Sequence, residues 1–486
     1  MISLQEPKLL KPLCLIGGMW CEADSRETFE VRNPATGEVL AHVPAGGERE
    51  TRRAIAAAEQ ALPAWRQRPA GERAVLLRAW YDLIVKHTED LAQLLTAEQG
   101  KPLSDARAEV AYAASFVEWF SEEVRRVYGD VIPGPSGDRR IMALKEPVGV
   151  CAAITPWNFP YAMVTRKVAA ALAAGCTMVL KPAEQTPLCA LALGVLAERA
   201  GIPAGVLNIV TGDPVTIGQV MTSSPIVRKI SFTGSTEVGR LLMRQSADTV
   251  KKLSLELGGN APFLVFDDAN LDEAVAGLMV AKYRNAGQAC IAANRIYVQN
   301  SVYEAFAAKL VAAVSELKIG HGDQPGTDIG PLIDSDAVTK VEKHVGDALE
   351  HGARLLQGGK RHALGGTFFE PTVLADATND MALYREETFG PLAPLFRFEE
   401  DEEAIAAANA VEFGLGAYVY SRDIARIWRA IDALEVGMVG INSGLISSAV
   451  APFGGVKQSG LGREGSKYGI EEYLVVKYVC LGGLYN

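Results

Sequence analysis

The sequence predicts an α/β fold in which short buried strands alternate with helices in two successive blocks. Three observations support this prediction: short apolar runs, apolar residues at helical spacing between those runs, and polar or glycine-rich segments where the runs end. Such alternation is typical of βαβ units and a parallel sheet. At 486 residues the chain is too long for one hydrophobic core, so two or three domains are expected.

The N-terminal part is predicted to be mainly helical after one starting strand. The apolar stretch 13–20 predicts that strand, since it is short and holds two glycines, unlike a signal peptide. Apolar residues then recur at helical spacing between residues 50 and 128. The glycines and prolines of 129–137 end the helical region, and 140–147 predicts a strand that leaves the helical body.

The first alternating block begins at residue 148. Its predicted strands and helices are 148–155 (strand), 161–174 (helix), 177–181 (strand), 189–200 (helix), 206–210 (strand), an apolar run at 215–221, and 229–232 (strand). Ligands bind at the carboxyl ends of the strands in such sheets. Four strand ends carry polar or glycine-rich groups: Pro156-Trp157-Asn158, Lys181-Pro182-Ala183-Glu184, Thr211-Gly212-Asp213 and Thr233-Gly234-Ser235.

A second alternating block follows Leu257-Gly258-Gly259-Asn260 and continues to about Asn442. Its first predicted elements are a strand at 263–266, a helix at 271–285, a strand at 295–298 and a helix at 302–317. The tail 472–481 alternates apolar and polar residues, as an exposed strand does.

Composition narrows the class of protein. With 49% hydrophobic and 22% charged residues the chain is typical of a compact globular protein, and its net charge of −10 without a basic stripe argues against nucleic acid. The longest apolar run, 168–180, is too short to span a membrane. Seven cysteines without a CxxC pair and six unclustered histidines predict no disulfide framework and no metal site. A reducing, cytoplasmic location is therefore expected.

Cys290 is the first candidate for chemistry. It lies beside a possible helix start at 289–293, where the helix dipole would favour the thiolate. A free thiol is only slightly ionised at neutral pH, so a nucleophile needs such help. The alternative is a small buried core residue, since six other cysteines compete for any special role.

Glu256 is the second candidate. Leucines flank it and Gly258-Gly259 follow it, an unusual setting for a carboxylate at a strand end. A desolvated glutamate has a raised pKa and can act as a general base near neutral pH. The alternative is a structural carboxylate that binds backbone amides.

Two segments are candidates for a nucleotide. Segment 232–239 follows a strand and opens a helix, where backbone amides suit a pyrophosphate, although it matches neither GxGxxG nor a P-loop. Glu184 follows another strand and could bind ribose hydroxyls. A surface turn is the alternative for Glu184.

Taken together, these segments resemble the aldehyde dehydrogenase superfamily over nearly the whole chain. The motifs that carry the resemblance occur in family order: Pro156-Trp-Asn-Phe-Pro160, Lys181-Pro-Ala-Glu184, Phe232-Thr-Gly-Ser-Thr-Glu-Val-Gly239, Leu255-Glu-Leu-Gly-Gly259, Gly287-Gln-Ala-Cys290 and Glu386-Glu-Thr-Phe-Gly-Pro391. The resemblance implies two doubly wound α/β domains and a small β-flap. The implied parts are an NAD-binding domain (1–130 and 150–257), a catalytic domain (258–446), a return segment (447–470) and an oligomerisation flap (131–149 and 471–486). A homo-oligomer is implied, a tetramer rather than a dimer.

Within that superfamily the chain most resembles the succinate-semialdehyde dehydrogenase branch. The residues behind this are Val164-Thr-Arg-Lys167, Tyr283-Arg-Asn285, Gly444-Leu-Ile-Ser-Ser448 and the segment 452–469. The branch implies that Arg166, Arg284 and Ser447 bind the distal carboxylate of the substrate, for which a planar guanidinium is well suited. The alternative is that both arginines make ordinary ion pairs.

The resemblance also implies a cofactor and a mechanism. NAD is the expected cofactor, with NADP weaker because Glu184 would face its phosphate. The implied NAD-binding residues are Thr155, Trp157, Lys181, Glu184, Gly234, Ser235, Gly239, Glu387 and Phe389. The Cys290 thiolate would attack the aldehyde, the Asn158 side-chain amide and Cys290 N–H would bind the oxyanion, and Glu256 would activate water. Some members carry a second cysteine where this chain has Ala292, so their Cys-x-Cys redox switch is absent.

Three other functions remain open. Glutarate semialdehyde, or a broader set of carboxylated aldehydes, is one alternative, because a methylene is worth only about 1–3 kcal/mol in discrimination. A CoA-acylating enzyme is the second, although Glu256 favours hydrolysis. A non-catalytic protein on this fold is the third, but loss of Cys290 or Glu256 would be expected there.

Overall fold

The computed structural model describes residues 4–483, and its two main sheets each form the centre of a separate hydrophobic core. Residues 1–3 and 484–486, at the ends of the predicted domains, lie outside the described residues. The strands are β1 (Cys14–Ile16), β2 (Met19–Cys21), β3 (Thr28–Arg32), β4 (Val39–Pro44), β5 (Asp130–Ile132), β6 (Arg140–Pro147), β7 (Val150–Ile154), β8 (Thr177–Lys181), β9 (Leu207–Ile209), β10 (Val227–Thr233), β11 (Lys252–Glu256), β12 (Ala261–Val265), β13 (Ala293–Gln299), β14 (Arg354–Gln357), β15 (Thr372–Ala375), β16 (Leu392–Phe398), β17 (Phe413–Gly414), β18 (Gly416–Tyr420), β19 (Met438–Ile441), β20 (Val456–Lys457), β21 (Gly460–Leu461) and β22 (Leu474–Leu481).

The helices lie between these strands in the order that the two predicted blocks require. They are α1 (Glu48–Gln67), α2 (Ala70–Lys86), α3 (Thr88–Gln99), α4 (Leu103–Glu123), α5 (Pro160–Ala174), α6 (Pro187–Arg199), α7 (Pro214–Ser223), α8 (Thr236–Ser246), α9 (Leu271–Tyr283), α10 (Tyr303–Ser315), α11 (Ser335–Glu350), α12 (Ala382–Arg385), α13 (Asp401–Asn409), α14 (Ile424–Ala433) and α15 (Ser466–Glu471). Short 3-10 helices occur at Pro7–Leu9, Val124–Arg126, Ala247–Thr249, Arg284–Gly287 and Asn300–Val302.

The first sheet has eight strands in the order β2-β1-β9-β8-β7-β10-β11-β21. Strands β9, β8, β7, β10 and β11 are parallel to one another, while both edges are antiparallel. The chain winds outward from β7 in one direction through β8 and β9 and in the other through β10 and β11. The reversal between β7 and β10 opens a crevice at their carboxyl ends, which is where such sheets bind ligands.

The second sheet has seven strands in the order β14-β15-β16-β13-β12-β18-β19. Its strands from β15 to β19 are parallel, and only β14 runs antiparallel at the edge. The order reverses between β12 and β18. Both main sheets are therefore doubly wound, as predicted, and β11 leads directly from the first sheet to β12 of the second.

Helix α5 explains why the longest apolar run is not a membrane segment. Every residue of α5 is buried against the first sheet and neighbouring helices. The helix begins at Pro160, a residue whose fixed φ suits the first helical position, and it ends at Gly175 with φ +92°. Nowhere between residues 4 and 483 is a helix long and apolar enough to cross a membrane.

A three-stranded antiparallel sheet, β22-β6-β5, stands apart from the two main sheets. Its long pair joins Leu474–Leu481 to Arg140–Pro147 residue by residue, so both predicted strands are confirmed. Val131, Val476 and Tyr478 on this small sheet are exposed. We call it the flap sheet.

The structure corrects one strand prediction near the N-terminus. The stretch 13–20 is not one strand but a hairpin of β1 and β2, in which Leu15 pairs with Trp20. Gly17 and Gly18 form the turn with φ of +60° and +80°, a conformation that glycine adopts without steric cost. Their presence inside an apolar run was the signal for a turn.

Candidate active site

Cys290 lies on a loop between α9 and β13, and the helix predicted at 289–293 does not form. The chain leaves α9, passes through left-handed conformations at Asn285 and Ala286 (φ +52° and +55°), and enters β13 at Ala293. The Asn285 N–H donates to Asp105 Oδ2 at 3.0 Å, which holds this bend. The prediction of a helix dipole at the thiol was therefore wrong, because tertiary hydrogen bonds set the backbone here.

The surroundings of Cys290 favour the neutral thiol. Burial raises the pKa of the Cys290 thiol to about 12. The guanidinium of Arg166 opposes this shift, whereas the carboxyl groups of Glu387 and Glu256 add to it. At neutral pH the thiol is thus protonated, and its activation needs a base that removes the proton.

Glu256 is the last residue of strand β11, and its side chain is buried. The residue is 2% exposed, and neither carboxyl oxygen has a hydrogen-bond partner among residues 4–483. Burial, followed by the nearby Glu464 carboxylate, raises the pKa of Glu256 well above its ordinary value, and Arg166 offsets only part of this. The backbone-binding alternative for Glu256 therefore does not hold, and the group has the raised pKa expected of a general base.

The Gly258-Gly259 pair brings the strand carrying Glu256 against the Cys290 loop. A Cβ on Gly259 would lie 2.4 Å from the backbone oxygen of Cys290, and one on Gly258 would lie 3.2 Å from Glu387 Oε2. The Gly259 N–H instead donates to Glu387 Oε1 at 3.2 Å. Gly259 therefore excludes a side chain, whereas a side chain at Gly258 would require Glu387 to shift slightly.

Asn158 is held by a buried network that the sequence did not reveal. Its side-chain amide donates to the Gln288 backbone oxygen at 3.1 Å. Its own backbone oxygen accepts from Lys101 Nζ at 2.7 Å and from Asn285 Nδ2 at 3.0 Å. Lys101 is fully buried and ion-paired with Glu109 Oε2 at 2.5 Å. Lys101 and Glu109 thus help to fix the backbone of Asn158, the predicted oxyanion donor.

A cavity of about 360 Å³ opens beside Cys290. Its lining includes Trp157, Asn158, Gly234, Ser235, Cys290, Glu387 and Phe389, so the structure brings together residues predicted to be catalytic and residues predicted to bind the cofactor. The rings of Trp157 and Phe389 meet edge to face at 5.5 Å. Burial raises the pKa of Glu387 to about 7.

The residues of this cavity fit one end of a dinucleotide. Thr233 Oγ1 is buried and lacks a hydrogen-bond partner in the described part of the chain. Ser235 precedes α8 and accepts from the Val238 N–H at 3.3 Å, so backbone N–H groups at the helix start face the crevice between β7 and β10. A bound group with hydroxyl and phosphate oxygens would satisfy these donors. Gly239 has a packing role, since a Cβ there would lie 2.4 Å from Leu257.

Lys181 and Glu184 lie outside this cavity, at the end of the neighbouring strand β8. The Thr155 N–H donates to the Lys181 backbone oxygen at 3.1 Å, which places the ends of β7 and β8 side by side. The Lys181 ammonium forms an ion pair with the Glu184 carboxylate, whose side chain is 37% exposed. Burial lowers the pKa of Lys181 to about 8, with Asp213 opposing the shift.

The residues predicted to bind the substrate carboxylate converge on one point. Arg166, 1% exposed on α5, contacts the Glu464 carboxylate and lies over the Phe453 ring at 4.5 Å. Arg284 lies over the Phe159 ring at 5.2 Å. Arg166, Arg284 and Ser447 all surround the phenol of Tyr112, a residue that the sequence analysis missed.

Arg166 is partly engaged within the protein. Its Nε faces Glu464, yet none of its three guanidinium nitrogens makes a hydrogen bond of good geometry to any of residues 4–483. Burial alone would lower the pKa of Arg166, but Glu464 holds it above its ordinary value.

Across residues 4–483, no group of His, Cys, Asp and Glu side chains is arranged to hold a metal ion.

Comparison with known proteins covers the whole chain. Residues 20–479 match the aldehyde dehydrogenase family. A 3-sulfolactaldehyde dehydrogenase from Pseudomonas putida is 62% identical over 100% of both chains. A glutarate-semialdehyde dehydrogenase from Pseudomonas aeruginosa and a succinate-semialdehyde dehydrogenase named for NADP+ from Escherichia coli are each 60% identical, over 99% of this chain and 100% of the relative. The crystal structure of a succinate-semialdehyde dehydrogenase from Burkholderia pseudomallei has a TM-score of 0.98 at 63% identity, over 99% of this chain and 100% of that one.

Proposed function

This chain belongs to the aldehyde dehydrogenase family, and we propose that it oxidises succinate semialdehyde to succinate with NAD as the preferred hydride acceptor. The observation that carries the proposal is the pair of guanidinium groups near the nucleophile. Arg166 acts on the pKa of Cys290, and Arg284 and Cys290 both act on the phenol of Tyr418. A short aldehyde bound at Cys290 would place its far end among these cations, which suits a carboxylate.

The mechanism begins with the proton of Cys290. The ionised form of Glu256 accepts this proton, and its carboxylate is close enough to raise the pKa of the Cys290 thiol. The sulfur then bonds to the aldehyde carbon, and the Asn158 amide and the Cys290 N–H donate to the resulting oxyanion. The dinucleotide, when bound, supplies the acceptor for the hydride. Glu256 then releases the Cys290 proton to solvent and, ionised again, takes a proton from the water that hydrolyses the thioester on Cys290.

The two sheets divide this work in our proposal. Residues 1–130 and 150–257 form the NAD-binding domain, and 258–446 form the catalytic domain. Trp157, Gly234, Ser235, Glu387 and Phe389 would hold the nicotinamide and pyrophosphate parts, together with Thr155, which directly follows β7.

The nucleotide preference rests on one ion pair. In the proposed pose, Glu184 accepts from the adenosine ribose hydroxyls while Lys181 stays paired with it. A 2′-phosphate would face the Glu184 carboxylate, which favours NAD. The Escherichia coli relative is named for NADP+, so the ratio of kcat/KM for the two nucleotides is the measurement that tests this part of the proposal.

A second candidate substrate is an aldehyde with a sulfonate. The Pseudomonas putida relative is named for 3-sulfolactaldehyde. In that molecule two carbon atoms separate the aldehyde group from the sulfonate group, just as two carbon atoms separate the aldehyde from the carboxylate in succinate semialdehyde. Guanidinium groups bind either anion through its oxygens. Glutarate semialdehyde is one methylene longer and remains a candidate through the Pseudomonas aeruginosa relative.

We further propose a homo-oligomer, a tetramer rather than a dimer. The flap sheet, formed by Asp130–Ile132, Arg140–Pro147 and Leu474–Leu481, exposes apolar Val131 and Val476 on strands with unpaired edges. Such edges tend to pair with another chain. The mass in solution, measured by light scattering, tests this.

The function is tested by steady-state kcat/KM for four aldehydes with NAD and with NADP. The four are succinate semialdehyde, glutarate semialdehyde, 3-sulfolactaldehyde and butyraldehyde, the last having the succinate carbon count without an anionic end. We expect succinate semialdehyde with NAD to be used best, and Arg284→Ala to lower its kcat/KM about ten- to a hundredfold while butyraldehyde changes little. Equal use of butyraldehyde by the wild-type enzyme would overturn the proposal.

A further inference from the structure

Tyr112 presents a hydroxyl group that the protein leaves without a partner. The residue lies on α4, and its ring packs edge to face on Phe116 at 4.9 Å. The hydroxyl oxygen is fully buried, yet it makes no hydrogen bond of good geometry with any described residue. Buried hydroxyls almost always have partners, so an unsatisfied one close to two arginines points to a ligand.

The groups around this hydroxyl are nearly all donors. Arg166 and Arg284 carry guanidiniums, which have no acceptor atom, and Ser447 contributes one hydroxyl. The terminal nitrogens of Arg166 are likewise buried and without hydrogen bonds in residues 4–483. A cluster of donors without enough acceptors is complementary to a group that carries several acceptor oxygens and a negative charge.

We propose that Tyr112 is a specificity-determining residue that donates its hydroxyl hydrogen to the distal anionic group of the substrate, beside Arg166, Arg284 and Ser447. This inference rests on the proposed function, since it assumes an aldehyde with an anionic end. A carboxylate offers about four acceptor positions, enough for the phenol and the neighbouring donors together.

Tyr112 would thereby favour aldehydes with an anionic end over uncharged aldehydes in two ways. It adds a hydrogen bond when the far end of the substrate is an anion. It also penalises an uncharged end, because a methyl group in this position would bury the phenol without any acceptor. The structure thus gives α4, which is distant in sequence from both Cys290 and Glu256, a direct part in substrate choice.

The test compares Tyr112→Phe with the wild type on succinate semialdehyde and butyraldehyde. The variant removes one oxygen and keeps the ring that packs on Phe116. We expect kcat/KM for succinate semialdehyde to fall at least tenfold, mostly through KM, and that for butyraldehyde to stay within about twofold or rise. Succinate, as a competitive inhibitor, should bind at least tenfold more weakly, a readout that does not depend on turnover.

The matched control is Tyr303→Phe. Tyr303 is fully buried in the second core, and its hydroxyl donates to the Leu395 backbone oxygen at 3.1 Å. This variant should melt at a lower temperature but keep the wild-type ratio between the two aldehydes. If Tyr112→Phe changes both aldehydes equally, or neither, the inference is wrong. If the wild type itself does not prefer succinate semialdehyde, the proposed function fails instead, so the two failures are distinguishable.

Discussion

The proposed site has a reacting end, at Cys290 and Glu256, and an adenosine end, at Lys181 and Glu184, and the two ends differ in how deeply their side chains are buried. At the reacting end, Cys290 and Glu256 are buried close to charged groups that include Arg166, and Gly259 allows the strand end of Glu256 to contact the Cys290 loop. At the other end, Lys181 and Glu184 form an ion pair whose carboxylate is more than a third exposed.

The difference teaches which properties of the enzyme are rigidly determined. At the reacting end, burial itself sets the pKa values, so almost any substitution changes the chemistry. At the adenosine end of the proposed site, the partly exposed side chain of Glu184 would set the preference for NAD, so we expect a single substitution to shift that preference without disturbing catalysis. We therefore expect substitutions at the reacting end to alter the rate of aldehyde oxidation by orders of magnitude. Substitutions at the adenosine end should alter only the ratio of kcat/KM for NAD over NADP.

The largest effect is expected at the sulfur. Cys290→Ala should leave less than about one per cent of the wild-type dehydrogenase activity, because no covalent intermediate can form. Binding of NADH, followed by its fluorescence, should persist. Cys21→Ala, which changes a free and half-buried thiol on β2, serves as the control and should keep full activity. Substantial turnover by Cys290→Ala would show that oxidation does not require a covalent bond to Cys290.

The next effect concerns hydrolysis. Glu256→Gln should slow deacylation about a hundredfold or more, because the amide cannot accept a proton from water. Rapid quenching followed by mass spectrometry should then find the acyl group on Cys290. Hydrolysis at the wild-type rate would mean that another group, not the buried carboxyl of Glu256, serves as the base.

A smaller, graded effect follows from pH. The pKa of the Glu256 carboxyl and that of the Cys290 thiol are both raised by burial, and each group is active only when it has lost its proton. Single-turnover rates should therefore increase with pH above neutrality, by up to about tenfold per pH unit while a single group limits the rate. A rate that is flat from pH 6 to 9 would contradict the dry environment of the reacting end.

The smallest effect is expected at the adenosine end. Glu184→Ser should narrow the ratio of kcat/KM for NAD over NADP by about tenfold, because it removes the carboxylate that would face the 2′-phosphate. The kcat with saturating NAD should change little. Glu72→Ser, at another exposed ion pair, should leave the ratio unchanged. A wild-type enzyme that already uses both nucleotides equally would show that the ion pair with Lys181 neutralises Glu184.

The alternation of strands and helices was predictable because buried strands and helices leave simple apolar patterns. The strand at 177–181 was placed correctly to the residue, and the helix predicted at 161–174 differs by one residue. The loop at Cys290 was not predictable in this way. Hydrogen bonds to Asp105 and Asn158, far away in sequence, hold Asn285 in a left-handed conformation that no local pattern indicates.

Only part of the candidate site could be predicted from the sequence, because tertiary contacts bring the remaining residues to it. Motif residues at strand ends could be found, whereas Lys101, Glu109 and Tyr112 lie in the helical N-terminal region and look like surface residues. One signal was present: Glu109 is spaced at helical intervals from Ala106 and Ala113, both of which are buried. A charged residue within the apolar face of a helix indicates a buried ion pair.

The return of the chain to the first core has a consequence for biosynthesis. Strand β21 completes the first sheet beside β11, and Tyr473 and Leu474 complete the first core. At about 5–20 residues per second, the ribosome needs roughly 10–40 s after Glu256 to reach them. During that interval the nascent chain carries an uncapped sheet edge at β11 and two buried cations, Arg166 and Lys167, without their counter-ion Glu464. The N-terminal half is therefore expected to depend on chaperones until synthesis is nearly finished.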